Sequence, residues 1–117
     1  MMGLFSGKLS IATLPGGTGL DVQIWDTDNV QRLRSGNQFL WLEREPGNKA
    51  DRHAIRVNGD TGWLGYLHAD DAKKYAKILD TIPVPIRVTA KVKSGEAAIG
   101  LPSPRDLTKW INQQRFT

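Results

Sequence analysis

Cysteine is absent from this 117-residue chain, which rules out disulfides and thiolate metal sites. No run of about 18 apolar residues occurs, so a membrane-spanning helix is not expected. The first residues, MMGLFSGKLSIATL, place Ser6, Lys8 and Ser10 among the apolar positions, which does not fit a secretory leader. A cytoplasmic location follows as the expectation, compatible with a reducing compartment. Histidine is also scarce: His53 and His68 have neither HxH nor HExxH spacing. Without cysteine a nucleophile would have to be a serine or threonine, and no motif marks one. Gly16-Gly17-Thr18-Gly19 lacks the Gly-Lys-Ser/Thr ending of a phosphate loop and reads as a hairpin connection. Asp26-Thr27-Asp28-Asn29 begins like a calcium loop but lacks its central glycine and final glutamate, so a helix cap explains it better. Neither a cofactor nor a metal is implied, and nothing points to an enzyme.

What the chain does contain is an ordinary balance for one globular domain over residues 1–117, with 39% hydrophobic and 24% charged residues. The net charge of +4 is unevenly spread. Residues 1–48 hold four Lys or Arg against five Asp or Glu, whereas residues 49–117 hold twelve against seven. A basic C-terminal part attracts polyanions through counterion release, although many proteins of this charge bind none.

Hydrophobic periodicity divides the chain into short strands and few helices. Lys8–Thr13 and Leu20–Trp25 suit strands joined by the glycine-rich loop, and Leu20, Val22 and Ile24 share one face of the second. Trp25 falls on the opposite, polar face. A short helical segment with Val30 and Leu33 runs to Ser35-Gly36, and Phe39–Arg44 is apolar on both faces at its start, as in a central strand. Ala54–Val57 with Ile55 and Val57 inward, the turn Asn58-Gly59-Asp60 and Gly62–Leu67 form a β-hairpin. Of its aromatic residues, Trp63 is the expected core member and Tyr66 the more exposed one. Ala69–Leu79 takes a helical period with Ala72, Tyr75, Ala76 and Leu79 on one stripe, leaving Lys73, Lys74 and Lys77 as solubilising charges. In the strand after Pro85, Ile86, Val88, Ala90 and Val92 face inward, while Arg87, Thr89, Lys91 and Lys93 make a basic ribbon. Ser103-Pro104 then starts a C-terminal helix over 103–116 carrying Leu107, Trp110 and Ile111. About seven strands, one mid-chain helix and one C-terminal helix predict a mainly β (α+β) fold, a small bent barrel of the OB-like or SH3-like kind.

Residues 42–67 concentrate the functional signal. The spacing L-x-R-E-P-x-N-x-x-D-x-x-A-I-x-V is met by Leu42, Arg44, Glu45, Pro46, Asn48, Asp51, Ala54, Ile55 and Val57. Gly62, Leu64, Gly65, Tyr66 and Leu67 follow, then an alanine-rich helix. This pattern resembles the HIRAN domain over about residues 20–93, in its free-standing bacterial form. The resemblance implies an OB-like barrel that binds single-stranded DNA and, in the best understood member, captures a free 3′ end in DNA repair. It implies that Asp51 and loop amides accept and donate hydrogen bonds at the terminal hydroxyl, with Asn48 organising the loop or adding a contact. Lys49, Arg52 and Arg56 are its candidate phosphate contacts, together with Arg87, Lys91 and Lys93 from the ribbon. Trp25 lies near the family's early aromatic residues. Two positions depart from the family: Ala50 stands where the end-binding member has a stacking tyrosine, and His53 where many members have Asn. Half of the base sandwich is therefore missing, and Trp25, Tyr66 and His53 are the rings available to replace it.

Plainer roles compete with these. Asn48 and Asp51 suit local turn bonding, and alternating charges on a sheet often only face water. A second function class is a protein-interaction adaptor docking a helicase or nuclease partner by a strand edge or the Leu107, Trp110, Ile111 stripe. Oligomeric state is left open by the sequence.

Overall fold

The computed structural model describes residues 7–117. The leader reading for residues 1–6 lies outside them. The described residues form seven strands and three helices: β1 (Ala12–Thr13), β2 (Thr18–Ile24), α1 (Thr27–Arg32), β3 (Gly36–Arg44), β4 (Ile55–Gly59), β5 (Gly62–Leu67), α2 (Ala69–Leu79), β6 (Ile86–Lys93), β7 (Glu96–Leu101) and α3 (Pro104–Asn112). Six of the strands close an antiparallel barrel in the order β6-β3-β4-β5-β2-β7, with β7 returning to β6. Closure leaves these strands without long free edges. The expected small, OB-like barrel is the observed fold.

Alternation builds the barrel's two faces. Val88, Ala90 and Val92 of β6 and Ile99 and Leu101 of β7 point inward with Leu40, Leu42, Ile55, Val57 and Leu64. The core cluster also takes in Ala72, Tyr75 and Leu79 from α2 and Leu107 from α3. Burying each such aliphatic side chain contributes about 1.5–3 kcal/mol before chain entropy is counted. Helix α2 begins with Asp70 and Asp71 in its first turn, and α3 is capped by Ser103, whose hydroxyl accepts from the Asp106 amide at 3.2 Å.

Several expectations are corrected. The strand expected at Lys8–Thr13 shrinks to Ala12–Thr13, which pairs parallel with Ile86–Arg87, while Leu9 makes only an isolated bridge to Phe116. The glycine-rich loop is consequently no hairpin connection. It carries the chain from the β6 side of the barrel to β2, and at Gly17 it passes so close that a Cβ would sit 2.2 Å from the Leu101 carbonyl oxygen. The hairpin reversal lies at Asp60-Thr61, one step beyond the sequence signal, with Gly59 paired to Gly62 and Gly62 supplying the positive φ of 125°. The C-terminal helix stops at Asn112, because the tail turns back so that Leu9 donates to the Arg115 carbonyl and Thr117 to the Leu9 carbonyl. Trp110 and Ile111 are partly buried against the core. Among the described residues, no helix is long and apolar enough to cross a membrane.

Candidate nucleic-acid interface

The hairpin β4-β5 contains a β-bulge. Val57 pairs with Gly65 and Asn58 with Trp63, so Leu64 is an extra residue in β5. In a regular strand residues three apart face opposite sides; the inserted residue turns Trp63 and Tyr66 to the same outer face, while Leu64 and Leu67 stay buried. Trp63 is therefore not the core residue its alternation suggested. On the other side of β5, Gly65 permits the close approach of β2, since a Cβ there would fall 2.0 Å from the Gln23 carbonyl oxygen.

The end of β2 completes an aromatic cluster. The amides of Trp25 and Asp26 both donate to the Leu64 carbonyl, at 2.8 and 3.0 Å, which fixes Trp25 beside the bulge. Its ring centroid lies 6.2 Å from that of Trp63 and 5.7 Å from that of Tyr66, with 5.9 Å between the latter two. The contacts are tilted or edge-on, the arrangement aromatic quadrupoles favour. Trp25 remains 62% exposed, so its face is open to a flat ligand. The guanidinium of Arg56 lies 5.1 Å from the Trp63 ring centroid.

The polar loop 45–54 is knitted together by its own short side chains. Asn48 Oδ1 accepts from the amides of Ala50 and Asp51, and Asp51 Oδ1 accepts from the amide of His53 at 2.8 Å. Asn48 thus ties the loop's own backbone together. The amides of Ala50, Asp51 and His53 are engaged within the loop, which leaves the Asp51 carboxylate as its open acceptor; among the described residues no donor reaches Asp51 Oδ2. His53 Nδ1 stands 3.7 Å from Asp51 Oδ1. From outside, Arg44 clamps the loop through the carbonyls of Ala54 and Arg52 and anchors to Asp80 at 2.9 Å.

Glu45 joins loop and aromatic cluster. Its Oε1 accepts from the Tyr66 hydroxyl at 2.7 Å and from Asn48 Nδ2 at 3.1 Å, while Oε2 lies 3.5 Å from Arg56. The Tyr66 hydrogen bond, aided by Asn48 and Arg56, holds the Glu45 carboxyl below its ordinary range, against the opposing pull of burial. The same bond, followed by burial, raises the Tyr66 phenol. Sequence reasoning missed Glu45, Trp63 and Arg44 as site-forming residues. Arg44 and Glu45 stood in the matched motif without a role, and for Trp63 the available signal was Gly65 inside a strand, a mark of bulges and close backbone approach.

The remaining residues are distributed unevenly. Lys49 and Arg52 are exposed on the loop, and Arg56 is shared between Glu43 at 3.7 Å and Glu45. Arg87 reaches the same outer sheet face three strands away, where it donates to Thr13 Oγ1 at 2.7 Å. Lys91 and Lys93 are exposed further along β6, opposite Ala98 and Glu96 of β7. The predicted set thus divides into one compact group around Glu45 and a separate stretch of β6.

A conserved-family model, the HIRAN domain, matches residues 19–101. The chain belongs to the HIRAN domain family, a family of DNA-binding domains. Among solved structures, a protein from Lactobacillus plantarum is similar with a TM-score of 0.56 and 22% identity, over 73% of this chain and 89% of that one. The HIRAN domain of human HLTF aligns at a TM-score of 0.49 and 20% identity, covering 85% and 93% of the two chains. No curated protein sequence matches.

Proposed function

We propose that this protein is a non-enzymatic module that binds single-stranded DNA, with a free 3′-hydroxyl as its preferred feature. The observation that carries the reading is that Glu45 joins Asn48, which holds the amide of Asp51, to Tyr66, whose ring lies 5.7 Å from the exposed Trp25 ring, so that an open loop carboxylate and an exposed indole belong to one connected site. A carboxylate acceptor suits a terminal hydroxyl, and a flat exposed indole suits the last base, whose stacking is worth about 1–3 kcal/mol. Trp25, backed by Trp63 and Tyr66, takes over the stacking duty that Ala50 cannot perform. Lys49, Arg52, Arg56 and His53 surround the loop as the nearby phosphate and base contacts.

An anisotropy titration with a labelled oligodeoxynucleotide tests the reading. Affinity is expected to fall steeply with salt, and Asp51→Ala or Trp25→Ala should each weaken binding about tenfold. Wild-type protein that binds no oligonucleotide at about 50 mM salt would refute it. A 3′-phosphate in place of the 3′-hydroxyl should cost about tenfold or more, and equal affinity for the two ends would remove the terminus preference alone.

The adaptor reading has less support. The barrel is closed, and Leu107 is fully buried with Trp110 and Ile111 packed beside it, so both surfaces on which a helicase or nuclease partner would dock are largely occupied.

A further inference from the structure

Trp63, Asn58, Trp41 and Arg87 stand in one row across the outside of the barrel. They are successive cross-strand partners, Trp63 with Asn58, Asn58 with Trp41, and Trp41 with Arg87, running over β5, β4, β3 and β6. At about 4.8 Å per strand the row spans roughly 14 Å of surface. Its near end is the aromatic cluster with Arg56 over Trp63. Its far end repeats that pairing: the Arg87 guanidinium lies 4.5 Å from the Phe39 ring centroid and 6.0 Å from that of Trp41. Phe39, which alternates with the buried Leu40, is 43% exposed on this face.

Beyond Phe39 the row opens into a cleft of about 660 Å³. Its floor includes Gly19 and Gly100, cross-strand partners without side chains, and Thr89 and Lys91 stand on its rim. The sequence of features is therefore ring and guanidinium, then ring and guanidinium, then a bare floor with an ammonium beside it. Glu43, on the same face, is paired with Arg56 at 3.7 Å. Rings alternating with cations match a single nucleic-acid strand, which offers bases to the rings and phosphates to the cations.

We infer that the strand held at the loop continues across this face from Trp63 over Trp41 to Phe39, with Arg87 and Lys91 contacting phosphates at the far end. The inference rests on the single-strand reading above and adds a direction and a length to it. The protein then covers several nucleotides rather than a terminal one, within the range of about 4–16 found for OB folds.

Unstructured oligothymidylates of about 2 to about 12 nucleotides, each with a free 3′-hydroxyl, give the test by anisotropy titration, the shortest being too short to reach Phe39. Wild-type affinity is expected to rise about tenfold or more with length and then level off. Phe39→Ala and, separately, Thr89→Glu should flatten that rise while leaving the shortest oligomer's affinity unchanged and the protein cooperatively folded. Thr89 is exposed and pairs with Phe39 across β3 and β6, so its replacement introduces a carboxylate without touching the core. A length dependence in both variants equal to that of wild type overturns the track and leaves the loop site standing. Failure of wild type to bind any length overturns both.

Discussion

Tyr66 donates its hydroxyl to Glu45 Oε1 at 2.7 Å, across 21 positions of sequence, and this bond ties the bulged strand to the polar loop. Because the same oxygen also accepts from Asn48, the aromatic cluster and the loop do not take up their positions independently.

Removing the hydroxyl tests that coupling. Tyr66→Phe keeps the ring and loses the bond, and is expected to cost about 1 kcal/mol. That is below the usual 1.5–3 for a bond to a charged group, because Glu45 is one-quarter exposed. The pH dependence has a defined sign. Glu45 titrates below its ordinary value of 4.5 in the folded protein, so its contribution is complete above pH 4.5 and is lost as pH falls through the lower folded value. Tyr66 titrates above 10.0 when folded, so its contribution is complete below that pH and is lost as pH rises past it. Urea unfolding followed across pH should show both limbs in wild type, with the acid limb shallower and the alkaline limb reduced in Tyr66→Phe to the part that the buried Tyr75 phenol, also raised, contributes. An unchanged acid limb would dissociate Tyr66 from Glu45.

Gly65→Ala should be among the most damaging single changes. The added Cβ meets backbone, the Gln23 carbonyl oxygen at 2.0 Å and the Trp25 amide nitrogen at 3.0 Å, so no side chain can swing aside. A loss of about 3 kcal/mol or more is expected in chemical denaturation, with the near-ultraviolet circular dichroism of the Trp25, Trp63 and Tyr66 cluster reduced in any protein that still folds. A variant of wild-type stability would mean that the bulge tolerates a different register.

Helix α3 belongs to the barrel's core. Leu107 is fully buried, and Tyr75 of α2 donates to the Pro102 carbonyl at 2.7 Å just before α3 begins. Leu107→Ala should therefore destabilise the whole fold by about 2–5 kcal/mol, with one cooperative transition shifted to lower denaturant. If only a minor early transition moved, α3 would be an appended segment. Deleting residues 103–117 is for the same reason a poor test of partner docking, because it exposes the underside of the core.

The barrel was readable in the sequence because most of its strands alternate: β6 buries Ile86, Val88, Ala90 and Val92 as the pattern requires, and α2 buries its expected stripe. The family motif also located the loop. Two features escaped. A two-residue period presumes no insertion, so the bulge at Leu64 reversed the expected placement of Trp63. The partners of Glu45 come from three separate places, Tyr66, Asn48 and Arg56, and only the folded register brings them to one carboxylate. Such convergence leaves no mark in local spacing.

Asn48 offers the most discriminating change, because its two ends do different work. Its Oδ1 accepts two loop amides and its Nδ2 donates to Glu45. Asn48→Asp keeps an acceptor for the amides but replaces the donor with a second carboxylate about 3 Å from the first, within the range where like charges repel by about 1–4 kcal/mol. At neutral pH the variant should be less stable than wild type by about 1–2 kcal/mol and bind oligonucleotide more weakly. One of the two carboxylates is then driven to take up a proton above the ordinary carboxylate range. As pH falls through that raised value, the variant should regain stability, in the opposite sense to wild type's loss on the acid side of 4.5. Asn48→Ala, which removes both ends and adds no charge, should be destabilised with no such recovery. Parallel pH profiles for the Asp and Ala variants would show that the loop's own amide bonds, rather than the link to Glu45, are what Asn48 provides.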